Sequence, residues 1–289
     1  METWIWLGLV CAFSSATSDA LSKKAFKHHH VWLVAWARLL YILPLLWVGF
    51  LLEGVPSLDS TFWAVSLSAL PLELAATLLY YKALEISPLS LTIPFLALTP
   101  VFLIATAFIL MGELPTFIGT GGIFLIALGA YLLNLSPGHK TVWDPLKAIG
   151  REKGSIYMIL VAFIYSITSA LGKIAVQHAT PLSFIAVYFT LLTVMLGAVV
   201  YQKDRSGFSR VFSAPGRFGL IGFFFGLMLL SHFYAIRLTE VAYLISLKRL
   251  SLIFSIGYGY LFFRETNIRS RLLGASVMFA GAVVISLWS

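Results

Sequence analysis

VAYLISLKRLSLIFSIGYGYLFFRE, residues Val241–Glu265, is long and apolar enough to cross a bilayer, since about 20 residues rising about 1.5 Å each span a hydrocarbon core of about 30 Å. Lys248 and Arg249 interrupt it, about 10 Å in from Val241. A cation at the centre of a membrane helix costs at least about 2.5–3.5 kcal/mol, so two adjacent ones call for something anionic opposite. The competing reading is snorkelling, in which both side chains run along the helix and place their heads at the interface. Against it, the face of Lys248 continues through Ser251, Ser255 and Gly259, at spacings that keep these residues in line on a helix. A small, polar face suits a cavity wall or a tight helix contact better than a lipid-facing stripe.

The surroundings of this stretch are of the same kind. The chain has 289 residues, 60% of them hydrophobic and only 11% charged, with a mean hydropathy of +0.92, which excludes the soluble globular and disordered classes. Cys11 is the single cysteine, so there is neither a disulfide framework nor a thiolate metal cluster. His28, His29 and His30 are consecutive and on a helix would point in different directions, which reads as a solvated loop rather than a metal site. The net charge of +8 is spread over short loops instead of one face, so it signals topology and not nucleic-acid binding.

Ten apolar segments can be marked, at about 3–21, 32–51, 62–82, 89–111, 116–135, 155–173, 182–201, 217–236, 241–263 and 270–288,. The first is not read as a cleavable signal, because it lacks a basic start and has Asp19 and Lys23 where small residues would be needed,. LSPGHKTVWDPLKAIGREKGS, Leu135–Ser155, is the longest loop and separates five segments from five. The expected organisation is a first unit at 1–135, a linker at 136–154 and a second unit at 155–289.

The two units are related. CAFSSATSDALSKKA matches VAFIYSITSALGKIA at a constant offset of 150, which pairs Ala12 with Ala162 and Lys23 with Lys173. From Lys82 to Leu135 the chain aligns without a gap on Tyr234–Leu287 at an offset of 152, pairing Glu113 with Glu265, Gly122 with Gly274 and Gly129 with Gly281. With five segments in each unit, the second enters the membrane from the opposite side, an inverted repeat of the kind that alternating-access transporters use, with substrate sites near the midplane. YYKALEISPLSLTIPFLALTPVFLIATAFILMGE and FYAIRLTEVAYLISLKRLSLIFSIGYGYLFFRE, each followed by a glycine-containing helix, resemble the two EamA-type repeats of the drug/metabolite transporter superfamily. The resemblance implies an all-α, ten-helix membrane fold with helices 1 to 4 and 6 to 9 around a central cavity, and helices 5 and 10 behind it at a homodimer contact. Gly122, Gly129, Gly274 and Gly281 fit that contact, since their spacing keeps them on one face for close helix approach.

At the offset of 152, Lys248 and Arg249 fall on Leu96 and Ala97, so the charges belong to one half only, which favours function over folding. The first half carries Pro94 and Pro100 there instead, which free backbone carbonyls where a helix lines a cavity or bends as a gate; a packing kink is the alternative. Glu73, mid-way along the third segment, is read as a counter-ion to the basic pair or as a proton carrier. Asp19 and Lys23 are four apart and read as a local pair, and Arg38 as an interfacial anchor. His232, Tyr234, Tyr80 and Tyr81 are candidate cavity residues beside Ser251, although a buried, hydrogen-bonded aromatic is the commoner fate. An adjacent Lys-Arg pair in the ninth helix is also similar to the phosphate-binding pair of the sugar-phosphate/phosphate translocator branch, but the fourth helix here lacks any basic residue. That leaves room for singly charged or zwitterionic metabolites.

These residues support a secondary transporter for a small organic anion or amphipathic metabolite in a cell (inner or plasma) membrane, with Lys248 and Arg249 holding the anionic group. The alternative is an exporter of amino acids or drugs in which Glu73 neutralises the pair. A membrane-embedded transferase is the third reading, disfavoured because no nucleophile or metal constellation accompanies the charges. No GxxxxGK[ST] motif occurs,, so the partners expected are the lipid bilayer, a small-molecule substrate and a coupling proton or counter-substrate, without a cofactor, metal or nucleic acid.

Of the 20 Lys and Arg residues, only Lys173 and Arg237 follow even-numbered segments, while Arg38, Lys248 and Arg249 lie within segments. The positive-inside rule therefore puts the odd-numbered loops in the cytoplasm and both termini outside, whereas the family resemblance implies cytoplasmic termini. A C-terminal green-fluorescent-protein fusion decides between them: the charge count expects a dark fusion, and strong cytoplasmic fluorescence would overturn it.

Overall fold

The computed structural model of the chain describes residues 2–26, 28–54, 57–87, 93–133, 153–263 and 269–288. The linker apart from Lys153 and Gly154, and Glu265, the repeat partner of Glu113, lie outside these. All regular elements among the described residues are helical. Span 1 is Thr3–Ala25, and span 2 consists of two helices, Val31–Leu40 and Leu43–Glu53. Span 3 is Ser60–Ile86, span 4 a 3-10 turn Ile93–Leu98 running into the helix Thr99–Met111, and span 5 Phe117–Leu133. Span 6 is Lys153–Gln177, span 7 Pro181–Lys203 and span 8 Pro215–Ala235. Span 9 again has two helices, Val241–Lys248 and Ser251–Phe263, and span 10 is Arg269–Trp288. Spans 1, 2, 3, 6, 7, 8 and 9 are each long and apolar enough to cross a membrane, and spans 4, 5 and 10 contribute shorter apolar helices. The protein is a multi-pass membrane protein. The sequence reading did not expect the short helix Arg205–Phe208 and the 3-10 turn Ser209–Ser213 between spans 7 and 8.

Helix ends follow local chemistry. Asp59 caps span 3 by accepting the Phe62 amide at 2.7 Å, and Thr180 caps span 7 by accepting the Ser183 amide at 3.1 Å, with Pro181 in the first turn where it sacrifices no helical bond,. The Phe62 amide and His178, 2.7 Å away, hold the Asp59 carboxyl below the usual carboxylate range. Their contribution is therefore present above that range and fades as the pH falls through the depressed value. Gly112 ends span 4 in the left-handed conformation, φ 71°, which glycine adopts without steric penalty.

The main helix contacts fall in related pairs. Span 1 packs on span 8 and span 3 on span 6; span 1 packs on span 9 and span 4 on span 6; span 2 meets span 8 and span 3 meets span 7. Spans 5 and 10 pair with each other, as do spans 2 and 7. Among these pairs, exchanging each span with the one five places on returns the same set, as two repeats related by an in-plane axis would give, whereas the contacts of span 7 with span 8 and of span 5 with span 9 have no equally extensive counterpart. The glycines assigned by sequence to a dimer contact are used inside the chain. A Cβ on Gly122 would lie 2.7 Å from the Ile285 side chain, one on Gly129 would lie 2.5 Å from the Met278 amide, and one on Gly281 would lie 2.7 Å from the Gly122 carbonyl. They allow the close crossing of spans 5 and 10, and the dimer expectation loses their support.

A buried polar latch joins the two halves on the face where the 4–5 and 8–9 loops lie. Lys173, only 5% exposed near the end of span 6, is paired with Glu113 and donates to the Thr239 carbonyl at 2.7 Å. Glu113 in turn accepts the Val241 amide at 3.3 Å, which ties the latch to the first residue of span 9. Removing one member of a buried pair strands the other. Glu113→Gln is expected to lower the unfolding free energy in detergent by about 3 kcal/mol, and Glu113→Leu/Lys173→Met to recover most of the loss. A Gln variant as stable as the parent would show that the latch contributes nothing to stability.

Candidate functional site

Spans 4 and 9 break at equivalent points. Span 9 stops at Lys248 and resumes at Ser251. Across the break the backbone bonds shorten to three residues, with the Arg249 amide on the Ser246 carbonyl and the Leu250 amide on the Leu247 carbonyl, both at 3.0 Å,. In span 4 the 3-10 turn Ile93–Leu98 precedes the helix from Thr99, so at the offset of 152 the breaks coincide. Pro94 falls inside that turn and Pro100 in the first turn of the following helix, where a proline has no helical bond to sacrifice. The two breaks touch: Arg249 Nη2 donates to Thr99 Oγ1 at 2.9 Å, and Thr99 Oγ1 donates to the Leu96 carbonyl at 2.8 Å.

A cavity of about 250 Å³ lies against this junction, just below the roughly 300–1,000 Å³ usual for small-molecule pockets. Its polar lining includes Asp19, Arg38, Glu73, Tyr80, Tyr81, Thr99, Tyr165, Lys248 and Arg249. Its aromatic lining adds Phe184, Tyr188, Phe189, Phe225 and Phe233. Phe184 stacks on Tyr188 at 4.9 Å between centroids and leans on Phe233 at 4.8 Å, which fixes that wall through interlocked rings. Gly172 opens space there, since a Cβ on it would lie 3.4 Å from Phe233.

Among the sequence-derived candidates, Lys248, Arg249, Glu73, His232, Tyr80 and Tyr81 line the cavity. Ser251 and Tyr234 are not among its lining residues. Tyr234 is 41% exposed on the outside of span 8, because two residues along a helix turn the side chain about 200° from His232. Ser251 begins the helix after the break, and its carbonyl accepts from Ser255 Oγ at 2.9 Å. Among the described residues no ion pair joins Glu73 to Lys248 or Arg249, so the expected direct neutralisation is absent. Glu73 lines the cavity together with Thr168. Lys248 forms neither an ion pair nor a hydrogen bond with a described residue. Buried and without a hydrogen-bond partner are Arg249 Nε, Arg38 Nε and His232 Nδ1. None of the described His, Cys, Asp and Glu residues gather in threes where a metal could be held.

Arg38 corrects the expectation from sequence. Arg38 is not an interfacial anchor: it lines the cavity, lies over the Phe225 ring at 4.5 Å, and pairs with Asp19 at 3.8 Å. Depth could have found it, because Arg38 is as far from Val31, the start of span 2, as Lys248 is from Val241. Tyr165, Thr168 and the aromatic wall had no comparable signal in a chain with 23 phenylalanines and 12 tyrosines.

Comparison with known proteins agrees with this architecture. A curated protein of Salmonella typhimurium strain LT2, named a probable amino-acid metabolite efflux pump, is 32% identical over 144 residues, 44% of this chain and 46% of its own length. The match thus spans about half of that relative. A solved structure described only as a crystal structure of a protein shares the fold with a TM-score of 0.77 at 15% identity, covering 100% of this chain and 99% of its own. The model of the EamA-like transporter family matches twice, over residues 2–135 and 152–287. With nearly the whole sequence inside those two matches, the chain belongs to the EamA-like transporter family.

Proposed function

We propose that the protein is a secondary-active exporter of a small amphipathic metabolite with a single carboxylate, of the amino-acid type, working by alternating access with Lys248 and Arg249 as anchors for the anionic group. The observation that carries this reading is the state of the pair. Lys248 has no partner among the described residues, Arg249 has one hydrogen bond, to Thr99, and both line a cavity at membrane depth. Cations in such a place are costly until something anionic meets them. Arg adds a planar fork that holds a carboxylate in a fixed orientation, and Lys a mobile point charge.

Charge balance narrows the substrate. With all five groups ionised, Arg38, Lys248 and Arg249 against Asp19 and Glu73 leave one positive charge, which suits one carboxylate better than a dianionic phosphate. The ring-lined wall suits an apolar body. The amino-acid class and the outward direction follow the printed name of the similar Salmonella protein. In this reading an ammonium group would face Glu73, which is also the residue placed to carry a coupling proton. Transport is favoured over transferase chemistry because the cavity pairs its cations with aromatic rings and no activated nucleophile.

Proteoliposome transport with a panel of amino acids and their decarboxylated analogues tests this. Lys248→Gln and Arg249→Gln should each lower transport by about ten- to a hundredfold, the range of one charge-assisted hydrogen bond of about 1.5–3 kcal/mol, while thermal stability stays near that of the parent. The decarboxylated analogues should not be carried. If both variants transport normally, the pair does not bind substrate and the snorkelling reading returns.

A further inference from the structure

We propose that Arg38 is a second anion station on the transport path and that Asp19 occupies it as an internal stand-in while the cavity is empty. This rests on the transport reading above and assigns a new role to two residues outside the Lys248–Arg249 pair. Arg38 has five donors in a fixed fork, yet its Nε is buried without a partner and its ion pair with Asp19, at 3.8 Å, is too long to be a hydrogen bond. The guanidinium is nevertheless held in place, over the Phe225 ring at 4.5 Å. Asp19 opens into the cavity, with 61% of its side chain accessible against 24% for Arg38. A carboxylate kept beyond hydrogen-bond distance of a fixed fork is one that another carboxylate can replace.

The topology places this station at a different depth. Asp19 lies six residues before the end of span 1 and Arg38 seven residues after the start of span 2, so both are about 10 Å from the face where those spans meet. Lys248 lies seven residues into span 9, which starts from the opposite face. In a core of about 30 Å, the two stations are separated by about 10 Å of depth, with Glu73, mid-way along span 3, between them. A carboxylate moving through the membrane therefore has a cation to receive it on either side of the midplane, and one cavity touches both.

The test is equilibrium binding of phenylacetate, with phenylacetamide as the uncharged control, to the purified full chain, read as thermal stabilisation over a concentration series. Removing the stand-in by Asp19→Asn should tighten phenylacetate binding about tenfold and leave phenylacetamide unchanged. Asp19→Asn/Arg38→Gln should lose the gain. Arg38→Lys, which keeps the charge without the fork, should retain part of it, and serves if the Gln variant fails to fold. In the Lys248→Gln/Arg249→Gln background the Asp19→Asn gain should persist, so this result stands or falls separately from the anchor role of the pair. No tightening in Asp19→Asn, a gain that survives loss of Arg38, or an equal gain for phenylacetamide would each overturn the proposal.

Discussion

The constraint on which the rest depends is the cost of an unpaired charge away from water. Lys248 and Arg249 occur in the middle of an apolar span, and the chain does not bury a carboxylate against them. The helix is broken at that point, as span 4 is without any cation, and a cavity lies there instead, with Thr99 from the other repeat taking one donor of Arg249. A broken helix in hydrocarbon would expose carbonyls at several kcal/mol each. Both breaks are tolerable because they line a polar cavity and because their backbone bonds shorten to three residues rather than disappear.

The repeat gives the frame, and the differences between its halves give the chemistry. Spans 4 and 9 break at matching positions, but prolines mark one break and cations the other. The breaks are thus a property of the fold, while the charges are an addition to one half of it. The same logic separates Lys173 from Lys23. They are equivalent by repeat, and Lys173 is the one that sits buried in the latch with Glu113, at the face where span 9 begins.

Helical class, segment number and most span limits were legible because apolar runs of membrane length are a strong signal, and the repeat was legible because it aligns without gaps. Single side chains are less legible. A cation near the start of a span is usually an anchor, which is what the sequence suggests for Arg38, although its depth equals that of Lys248. Tyr234 lies beside His232 in the sequence, yet two residues apart on a helix they point to opposite sides. The glycines at 122, 129 and 281 were correctly placed on a close helix contact, but sequence does not say whether the neighbouring helix belongs to the same chain. The break in span 2 at Tyr41–Ile42 was missed as well. It lies where Gly222 and Gly226 of span 8 admit Tyr41 and Ile42, a fit that only the partner helix reveals.

Span 9 is where these features become one mechanical unit. Its first residue, Val241, is held by the carboxylate of Glu113, and Tyr243 accepts the Thr116 amide at 2.7 Å, so the loop between spans 4 and 5 grips its first turn. Seven residues from Val241 the same helix ends at Lys248, facing the cavity. A helix of eight residues thus links the latch to the cavity. The break after Lys248 separates it from Ser251–Phe263, and the Arg249–Thr99 bond joins that break to the matching one in span 4. One short, rigid segment with a break at its end therefore stands between the latch and the proposed anchors, and the alternating-access proposal would use that segment as its moving part.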